Sequence, residues 1–277
     1  MALYLIGLGL FDEKDITLRG LEFIKAADKV YMEYYTSLLQ CDMRALEKLY
    51  GRKVIVADRE LIEKGGENIV KEAKNYDVVI LIIGDPMSAT THTQFLLDAH
   101  KQHVPVTIIH NASVLTAIGD TGLELYKFGK ITSIVFPRKN QQVETYYDVI
   151  KQNRASGSHT LCLLDIAISS DVSDANFATQ ETAKQTKSNV ARQQHRCMTV
   201  HEAINQLLAV EQQRKESVFT SDTLCVGCSR LGSPRQVIFA GAANVLLKKD
   251  FGDPPHCLII PGKLHFVEEE ALSLWNK

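Results

Sequence analysis

The stretch that decides the fold covers residues 78–86, which run Val78-Val79-Ile80-Leu81-Ile82-Ile83-Gly84-Asp85-Pro86. The first six of these residues are all apolar, without the alternation of a half-exposed strand. Such a run is typical of a strand buried on both faces, as in parallel sheets that helices cover. Glycine and proline then end the run abruptly. The sequence therefore predicts a buried central strand, followed by a loop that carries an aspartate.

The chain around this strand alternates short apolar runs with helix-like stretches. Further strands are predicted over residues 3–8, 30–34, 53–57 and 106–110, and helices over 17–27, 68–75, 93–103 and from 113 onward. Thr17 is expected to cap the first helix, because its hydroxyl can accept a hydrogen bond from the first turn. Strand–helix alternation of this kind predicts an α/β domain with a mainly parallel sheet over residues 1–130.

A second α/β domain is predicted over residues 131–277. Its expected strands cover residues 134–136, 159–168, 223–226, 236–240 and 257–260, and its expected helices 143–153, 198–210 and 242–248. Thr199 is a candidate cap of the helix over 198–210. Residues 169–194 are almost wholly polar and lack the apolar anchors of a packed element. We expect this segment to be a mobile surface excursion.

Composition excludes several classes of protein. The 277 residues include 31 Lys and Arg against 33 Asp and Glu, so the net charge of -2 argues against a general nucleic-acid coat. No apolar run reaches the roughly 20 residues of a membrane span, and the N-terminus lacks the pattern of a signal peptide. The six cysteines lie mostly in strand-like settings. We therefore expect a cytoplasmic protein with reduced thiols and no membrane contact.

Two loop motifs are candidates for ligand binding. Gly7-Leu8-Gly9 follows the first strand, but Asp12 stands where a dinucleotide fingerprint needs its third glycine. These glycines allow close approach of a backbone or a ligand, or else form a plain tight turn. Asp85 and Ser113 follow neighbouring predicted strands, at the sheet edge where ligands of α/β proteins bind. The alternative is that both side chains only cap the helices that follow.

Other chemistry finds little support in the sequence. Cys225-x-x-Cys228 has metal or redox spacing, but no second pair stands at a suitable distance, and strand alternation explains it better. The histidines at 92, 100, 103 and 110 match no metal pattern, and we expect surface or supporting roles for most of them. We predict no metal site, and the sequence identifies no catalytic residue. His256, taken alone, fits a structural role better than a catalytic one.

Several segments carry a resemblance to a known family. They lie at residues 3–10, 15–17, 56–60, 84–86, 89–93, 109–113, 159–166, 198–200, 230–233 and 255–262. The most specific are the Ala-Thr-Thr-His-Thr run at 89–93, His-Asn-Ala-Ser at 110–113 and Leu-Cys-Leu-Leu-Asp-Ile at 161–166. The chain resembles, nearly end to end, the diphthine synthases, which are tetrapyrrole-methylase-like (class III) S-adenosylmethionine methyltransferases.

This resemblance implies an architecture and a cofactor. Two α/β domains would hold S-adenosylmethionine in the cleft between them, and the protein would be a homodimer. Ser88 stands where the family has a small or apolar residue, and segment 169–194 lacks the family's basic, proline-containing character. The implied contacts to the methyl donor, or to its product S-adenosylhomocysteine, come from Leu10, Asp85, Ser88, Ser113, Val114, Leu164, Leu231 and His256.

The resemblance also implies a reaction. The acceptor would be the amine on the modified histidine of translation elongation factor 2, methylated repeatedly during diphthamide biosynthesis; the eukaryotic type also methylates a carboxylate. A sulfonium already activates its methyl group, so alignment of the reactants supplies much of the acceleration. The alternatives are another class III methylase, acting on a tetrapyrrole or ribosomal RNA, and a non-catalytic adaptor that retains the fold.

Overall fold

The computed structural model describes residues 1–33, 39–57, 61–62, 65–137, 143–168 and 195–276. The predicted surface excursion at 169–194 lies outside these residues. All six cysteines are free thiols. Within the described ranges, no helix has the length and apolar character needed to cross a membrane.

The first half of the chain forms a five-stranded parallel sheet, as the alternation of elements predicts. The strand order is β3-β2-β4-β1-β5, with every neighbouring pair parallel. The strands are β1 (Leu3–Gly7), β2 (Lys29–Glu33), β3 (Ile55–Ala57), β4 (Val78–Ile82) and β5 (Val106–Ile109). The helices are α1 (Leu18–Ala26), α2 (Met43–Tyr50), α3 (Gly66–Glu72), α4 (Thr93–Lys101) and α5 (Val114–Ala117).

The central strand β4 explains why its sequence does not alternate. Val78 and Ile80 pack into one hydrophobic core, whereas Val79 and Leu81 pack into another on the opposite face of the sheet. All five residues of β4 are buried, and burial of each such side chain contributes roughly 1.5–3 kcal/mol. Helices cover both faces, so the strand has no polar side. Thr17 caps α1 as predicted, its side chain accepting a hydrogen bond from the Gly20 N–H.

The second half forms another five-stranded sheet, of order β11-β10-β12-β7-β6. Only β6 and β7 are parallel; the other pairs are antiparallel. A separate antiparallel pair joins β8 to β9. The strands are β6 (Thr132–Ile134), β7 (Thr160–Leu164), β8 (Ile166–Ile168), β9 (His195–Cys197), β10 (Leu224–Ser229), β11 (Val237–Ala242) and β12 (His256–Ile260). The helices are α6 (Thr145–Ala155), α7 (Val200–Arg214), α8 (Ala243–Leu246) and α9 (Phe266–Leu272).

The single long strand predicted over 159–168 is wrong, because Asp165 divides it into β7 and β8. The Asp165 N–H donates to the carbonyl of Ile134, and its carboxylate accepts from the Phe136 N–H at 2.9 Å. Its own carbonyl accepts from the Met198 N–H. These bonds turn the chain out of the large sheet and into the β8–β9 pair. The predicted cap of α7 is confirmed, because Thr199 and Glu202 form a reciprocal capping box there.

Strand alternation also explains the Cys225-x-x-Cys228 spacing. Cys225 packs in the core on one face of the second sheet, and Cys228 packs in the core on the other face. The two thiols therefore cannot share a ligand. The segment that joins the two sheets contacts the second one, because Ile118 and Leu123 lie in the same core as Cys228. A domain boundary at residue 130 stays a prediction.

A buried carboxylate ties the C-terminal helix α9 to the rest of the second sheet. Glu268 is fully buried and accepts hydrogen bonds from the Glu124 N–H, the His265 N–H and His159 Nε2, each at 2.8–2.9 Å, and it pairs with Lys127 Nζ. Burial alone would raise the pKa of Glu268, but these donors outweigh burial and lower its pKa to about 2. The carboxylate is therefore ionised over the whole neutral and mildly acidic range.

We expect Glu268→Gln to lower the free energy of unfolding by roughly 3 kcal/mol at pH 7, because it leaves Lys127 without its buried partner. Urea denaturation measures this loss. The matched control is Glu67→Gln, in the exposed Glu67–Lys71 pair, which should change stability by at most about 0.5 kcal/mol.

The wild type and Glu268→Gln also test how the free energy of unfolding depends on pH. A carboxylate with a lowered pKa stabilises the fold above its ordinary value of 4.5, and this contribution is lost as the pH falls toward about 2. The difference between the wild type and Glu268→Gln should therefore shrink across that interval. A difference that stayed constant down to pH 2 would contradict the role assigned to the charge.

Candidate functional site

A cavity of about 180 Å³, open to solvent on one side, lies where the C-terminal ends of β1 and β4 face the second sheet. One wall comes from the loops after β1, β4 and β5, and the other from β7, β10 and the start of β12. The parallel sheet thus presents the edge at which α/β proteins bind ligands. The antiparallel sheet closes the opposite side.

All eight residues that the sequence analysis assigns to donor binding line this cavity. Four of these residues precede position 114 in the sequence, and four lie at or after it. The fold therefore brings distant segments of the chain to one place. Their role in binding stays a prediction. The eight are Leu10, Asp85, Ser88, Ser113, Val114, Leu164, Leu231 and His256.

Glycines hold the loops after β1 and β4 against each other. Gly9 and Gly84 form an antiparallel bridge, and both have positive φ angles, of 77° and 84°. A Cβ at Gly7 would lie 2.6 Å from the carbonyl oxygen of Gly84, and one at Gly9 would lie 2.5 Å from Cβ of Asp15. The amide of Asn111 adds the third loop, donating to the carbonyls of Gly7 and Asp15 at 2.9 Å. Close approach of two backbones, rather than a plain turn, therefore explains the Gly-Leu-Gly motif.

Asp85 organises this wall of the cavity. One carboxylate oxygen accepts from the Met87 N–H at 2.9 Å and from the Ser88 hydroxyl at 3.0 Å. The other oxygen lies 2.8 Å from His110 Nδ1 and accepts from the Asn111 N–H at 3.1 Å. Burial alone would raise the pKa of Asp85, but these donors hold it below its ordinary range. Asp85 is therefore an anion that fixes the loops after β4 and β5 relative to each other.

Ser113 plays the capping role that the sequence analysis left open. Its hydroxyl accepts from the Leu115 N–H at 3.1 Å, and Thr116 completes a capping box at the start of α5. Asp85 caps no helix: α4 begins after His92, which has no side-chain capping bond. The two residues thus share the cavity wall but differ in their local roles.

His256 presents an unpaired polar atom on the wall formed by the second sheet. Its Nε2 lies 3.1 Å from the carbonyl oxygen of Gly252, and a carbonyl only accepts, so Nε2 carries the proton. Its Nδ1 is buried and has no hydrogen-bond partner among the residues that the structure describes. Burial lowers the pKa of His256, which favours the neutral ring. His256 therefore lines the cavity as a neutral ring whose buried Nδ1 is an acceptor.

A buried pair that the sequence did not predict lies beside the cavity. His92 is 3% exposed, and its Nε2 contacts the carboxylate of Glu33, which is 1% exposed. His92 Nδ1 lies 2.7 Å from the Thr90 hydroxyl and 3.1 Å from the Pro86 carbonyl oxygen. Sequence spacing places Thr90 near His92, but no local signal connects either of them with Glu33. His100, His103 and His110, by contrast, are exposed, as expected.

Comparison with known proteins identifies the family. Residues 2–246 match the tetrapyrrole (corrin/porphyrin) methylases. The diphthine methyl ester synthase of Dictyostelium discoideum is 46% identical, and the match covers 100% of this chain and 98% of that protein. The diphthine synthase of Methanocaldococcus jannaschii is 44% identical over 98% of this chain and 97% of its own.

The fold agrees with the sequence match. A crystal structure of a diphthine synthase superimposes with a TM-score of 0.82 and 35% identity, covering 100% of this chain and 96% of the other. The superposition spans both sheets of this chain. The chain therefore belongs to the tetrapyrrole methylase family and, within it, to the diphthine synthases.

Proposed function

We propose that this protein is a diphthine methyl ester synthase, an S-adenosylmethionine-dependent methyltransferase of diphthamide biosynthesis. Its acceptor is the modified histidine of translation elongation factor 2, whose amine it methylates repeatedly and whose carboxylate it also methylates. The observation that carries this proposal is the convergence of both halves of the chain on one cavity, in a protein 46% identical to a diphthine methyl ester synthase along its full length. The same resemblance supports a cytoplasmic homodimer.

The residues of the cavity fit a nucleoside sulfonium. Its walls combine apolar side chains such as Leu10, Val114 and Leu231 with a few polar groups, as in most cofactor sites. The unpaired Nδ1 of His256 suits an amino or hydroxyl donor of the ligand. The anionic Asp85 favours a ligand with positive charge. Gly84 leaves room, because a Cβ there would have no neighbour closer than 4.0 Å.

These residues act by binding and alignment. The bound donor supplies an activated methyl group, and in-line displacement requires that the acceptor atom lie opposite the leaving sulfur. Asp85 and the bridged glycines fix the loops of one wall, and β10 and β12 fix the other. These supports would hold both walls in place while the acceptor gains methyl groups. Full-length similarity to diphthine synthases disfavours a tetrapyrrole or RNA substrate.

Two measurements test the proposal. S-Adenosylhomocysteine at a hundred times its dissociation constant should stabilise the protein by about 2.7 kcal/mol, because it binds only the folded state. Elongation factor 2 from cells that lack this protein should gain countable methyl increments when incubated with the enzyme and S-adenosylmethionine. The absence of both would reject the proposal and favour the adaptor alternative, whereas stabilisation without any increment would reject elongation factor 2 as the acceptor.

We expect His256→Phe to weaken binding of S-adenosylhomocysteine by about tenfold, since it removes one buried hydrogen-bond acceptor, worth about 0.5–1.5 kcal/mol. Isothermal titration calorimetry measures the change. His100→Phe, on the exposed face of α4, is the control and should bind like the wild type. Equal affinity of His256→Phe and the control would show that Nδ1 does not contact the ligand.

The pH dependence of binding has a defined sign. Protonation of Nδ1 would destroy the acceptor, and burial lowers the pKa of His256 below its ordinary 6.5. Donor affinity of the wild type should therefore stay level from pH 8 to 6.5 and fall only in more acidic buffer. In His256→Phe that acidic decrease should disappear.

A further inference from the structure

We propose that Thr90, His92 and Glu33 form a proton relay that takes a proton from the acceptor amine before each methyl transfer. This inference rests on the proposed function, because it assigns roles in that reaction. Thr90 would contact the acceptor, and the other two residues would act through it. The relay lies in the wall of the donor cavity, on the side of the parallel sheet.

The three side chains form a continuous chain of contacts from the interior to the cavity. Glu33 ends β2 and contacts His92 Nε2. His92 Nδ1 lies 2.7 Å from the Thr90 hydroxyl, a distance typical of a strong hydrogen bond. Thr90 is half-buried and lines the cavity. A hydroxyl, an imidazole and a carboxylate in this order are the arrangement with which enzymes activate a hydroxyl group.

The surroundings of Nδ1 suit both protonation states of the ring. A neutral ring accepts a hydrogen bond from the Thr90 hydroxyl at Nδ1, while its Nε2–H donates to Glu33. A protonated ring needs an acceptor at Nδ1, and the Pro86 carbonyl oxygen lies 3.1 Å away. Glu33 accepts from Nε2–H in either state and balances the positive charge in the second. The site can therefore take up a proton without rearrangement.

Burial makes this arrangement costly for a purely structural purpose. His92 and Glu33 are at most 3% exposed, and separation of a carboxylate and an imidazole from water requires strong compensation. The loop around them has other supports, since Asp85 already binds Met87, Ser88 and Asn111. Proton transfer therefore accounts for this buried pair, whereas stabilisation of the loop does not require it.

The proton balance is simple. The acceptor ammonium gives one N–H proton to Thr90 Oγ1, while the hydroxyl proton of Thr90 moves to His92 Nδ1. The amine lone pair then forms the new C–N bond, and the electron pair of the broken C–S bond stays on sulfur. His92 later returns its proton through Thr90 to water. An α-amino group has a pKa of about 7.7–8.0, so near neutrality most of the acceptor needs this step.

Methylation of the carboxylate requires no such step, because a carboxylate is already the reactive anion at neutral pH. The relay therefore predicts that loss of the Thr90 hydroxyl slows N-methylation and spares O-methylation. A loop distorted by the same substitution would slow both reactions. The two products differ in chemistry, since mild alkali hydrolyses a methyl ester and leaves N-methyl groups intact.

The decisive variant is Thr90→Val, which replaces the hydroxyl with a methyl group of similar size. At pH 7 we expect N-methylation of elongation factor 2 to slow by about tenfold, because an amine with a pKa near 8 is only about one-tenth free base at that pH. The deficit should shrink toward pH 9, where solvent deprotonates the amine. Mass spectrometry before and after mild alkali counts N- and O-methyl groups separately. The other ionisable groups around the cavity are present in both proteins; they are Asp85, His110, Arg230, His256, Cys228 and Cys257.

Matched variants complete the design. Thr90→Ser keeps a hydroxyl and should restore most of the N-methylation rate. Thr91→Val places the same change at an exposed neighbour outside the cavity and should behave like the wild type. Glu33→Gln keeps the volume of Glu33 and should reproduce the pH-dependent deficit of Thr90→Val. Calorimetry with S-adenosylhomocysteine should show unchanged donor binding for Thr90→Val.

The outcomes separate the relay from the function. If Thr90→Val N-methylates at the wild-type rate at pH 7, or slows N- and O-methylation equally at every pH, the relay is wrong. If the wild-type protein binds no donor and adds no methyl group, the proposed function itself fails. A wild-type protein that methylates only the carboxylate would also overturn the relay while leaving a methyltransferase.

Discussion

The backbone bridge between Gly9 and Gly84 is the constraint on which the cavity depends. β1 and β4 are neighbours in the parallel sheet, and their loops would diverge if each carried side chains. Gly9 and Gly84 have positive φ angles, which allow the two loops to pair. This pairing directs the backbone after β4 toward the second sheet. Asp85 then fixes the loop after β4 in place, because its four hydrogen bonds join the loops after β4 and β5.

The two sheets contribute to the site in different ways. The parallel sheet supplies loops that carry charge, hydroxyls and His92, whose buried partner Glu33 ends β2. The antiparallel sheet supplies strand faces, so its residues in the cavity, such as Leu164 and Cys257, are mostly apolar. A rigid, largely apolar wall opposite a wall rich in hydrogen-bonding groups suits a ligand with a flat apolar base at one end and a charged group at the other.

The parts of the fold that local sequence determines were predictable. The apolar run at β4 indicated burial on two faces, and Thr17 and Thr199 marked helix starts because capping depends on adjacent residues. The division of 159–168 at Asp165 was not predictable, since its hydrogen bonds reach Ile134 and Phe136 in another strand. The Glu33–His92 contact escaped prediction for the same reason: it joins residues 59 positions apart, and nothing near either one requires it. Motif resemblance grouped the residues of the cavity, but only the folded chain shows which of them already have partners.

The antiparallel pairing of β8 with β9 has a consequence for how this protein can diverge. Ile168 pairs with His195, so two residues that are 27 positions apart in the sequence lie side by side. When two anchor points are held together in this way, doubling the length of chain between them costs only about 0.6 kcal/mol in closure entropy. Relatives can therefore gain, lose or replace sequence at this position without disturbing either sheet, and an added recognition module could be acquired there during evolution.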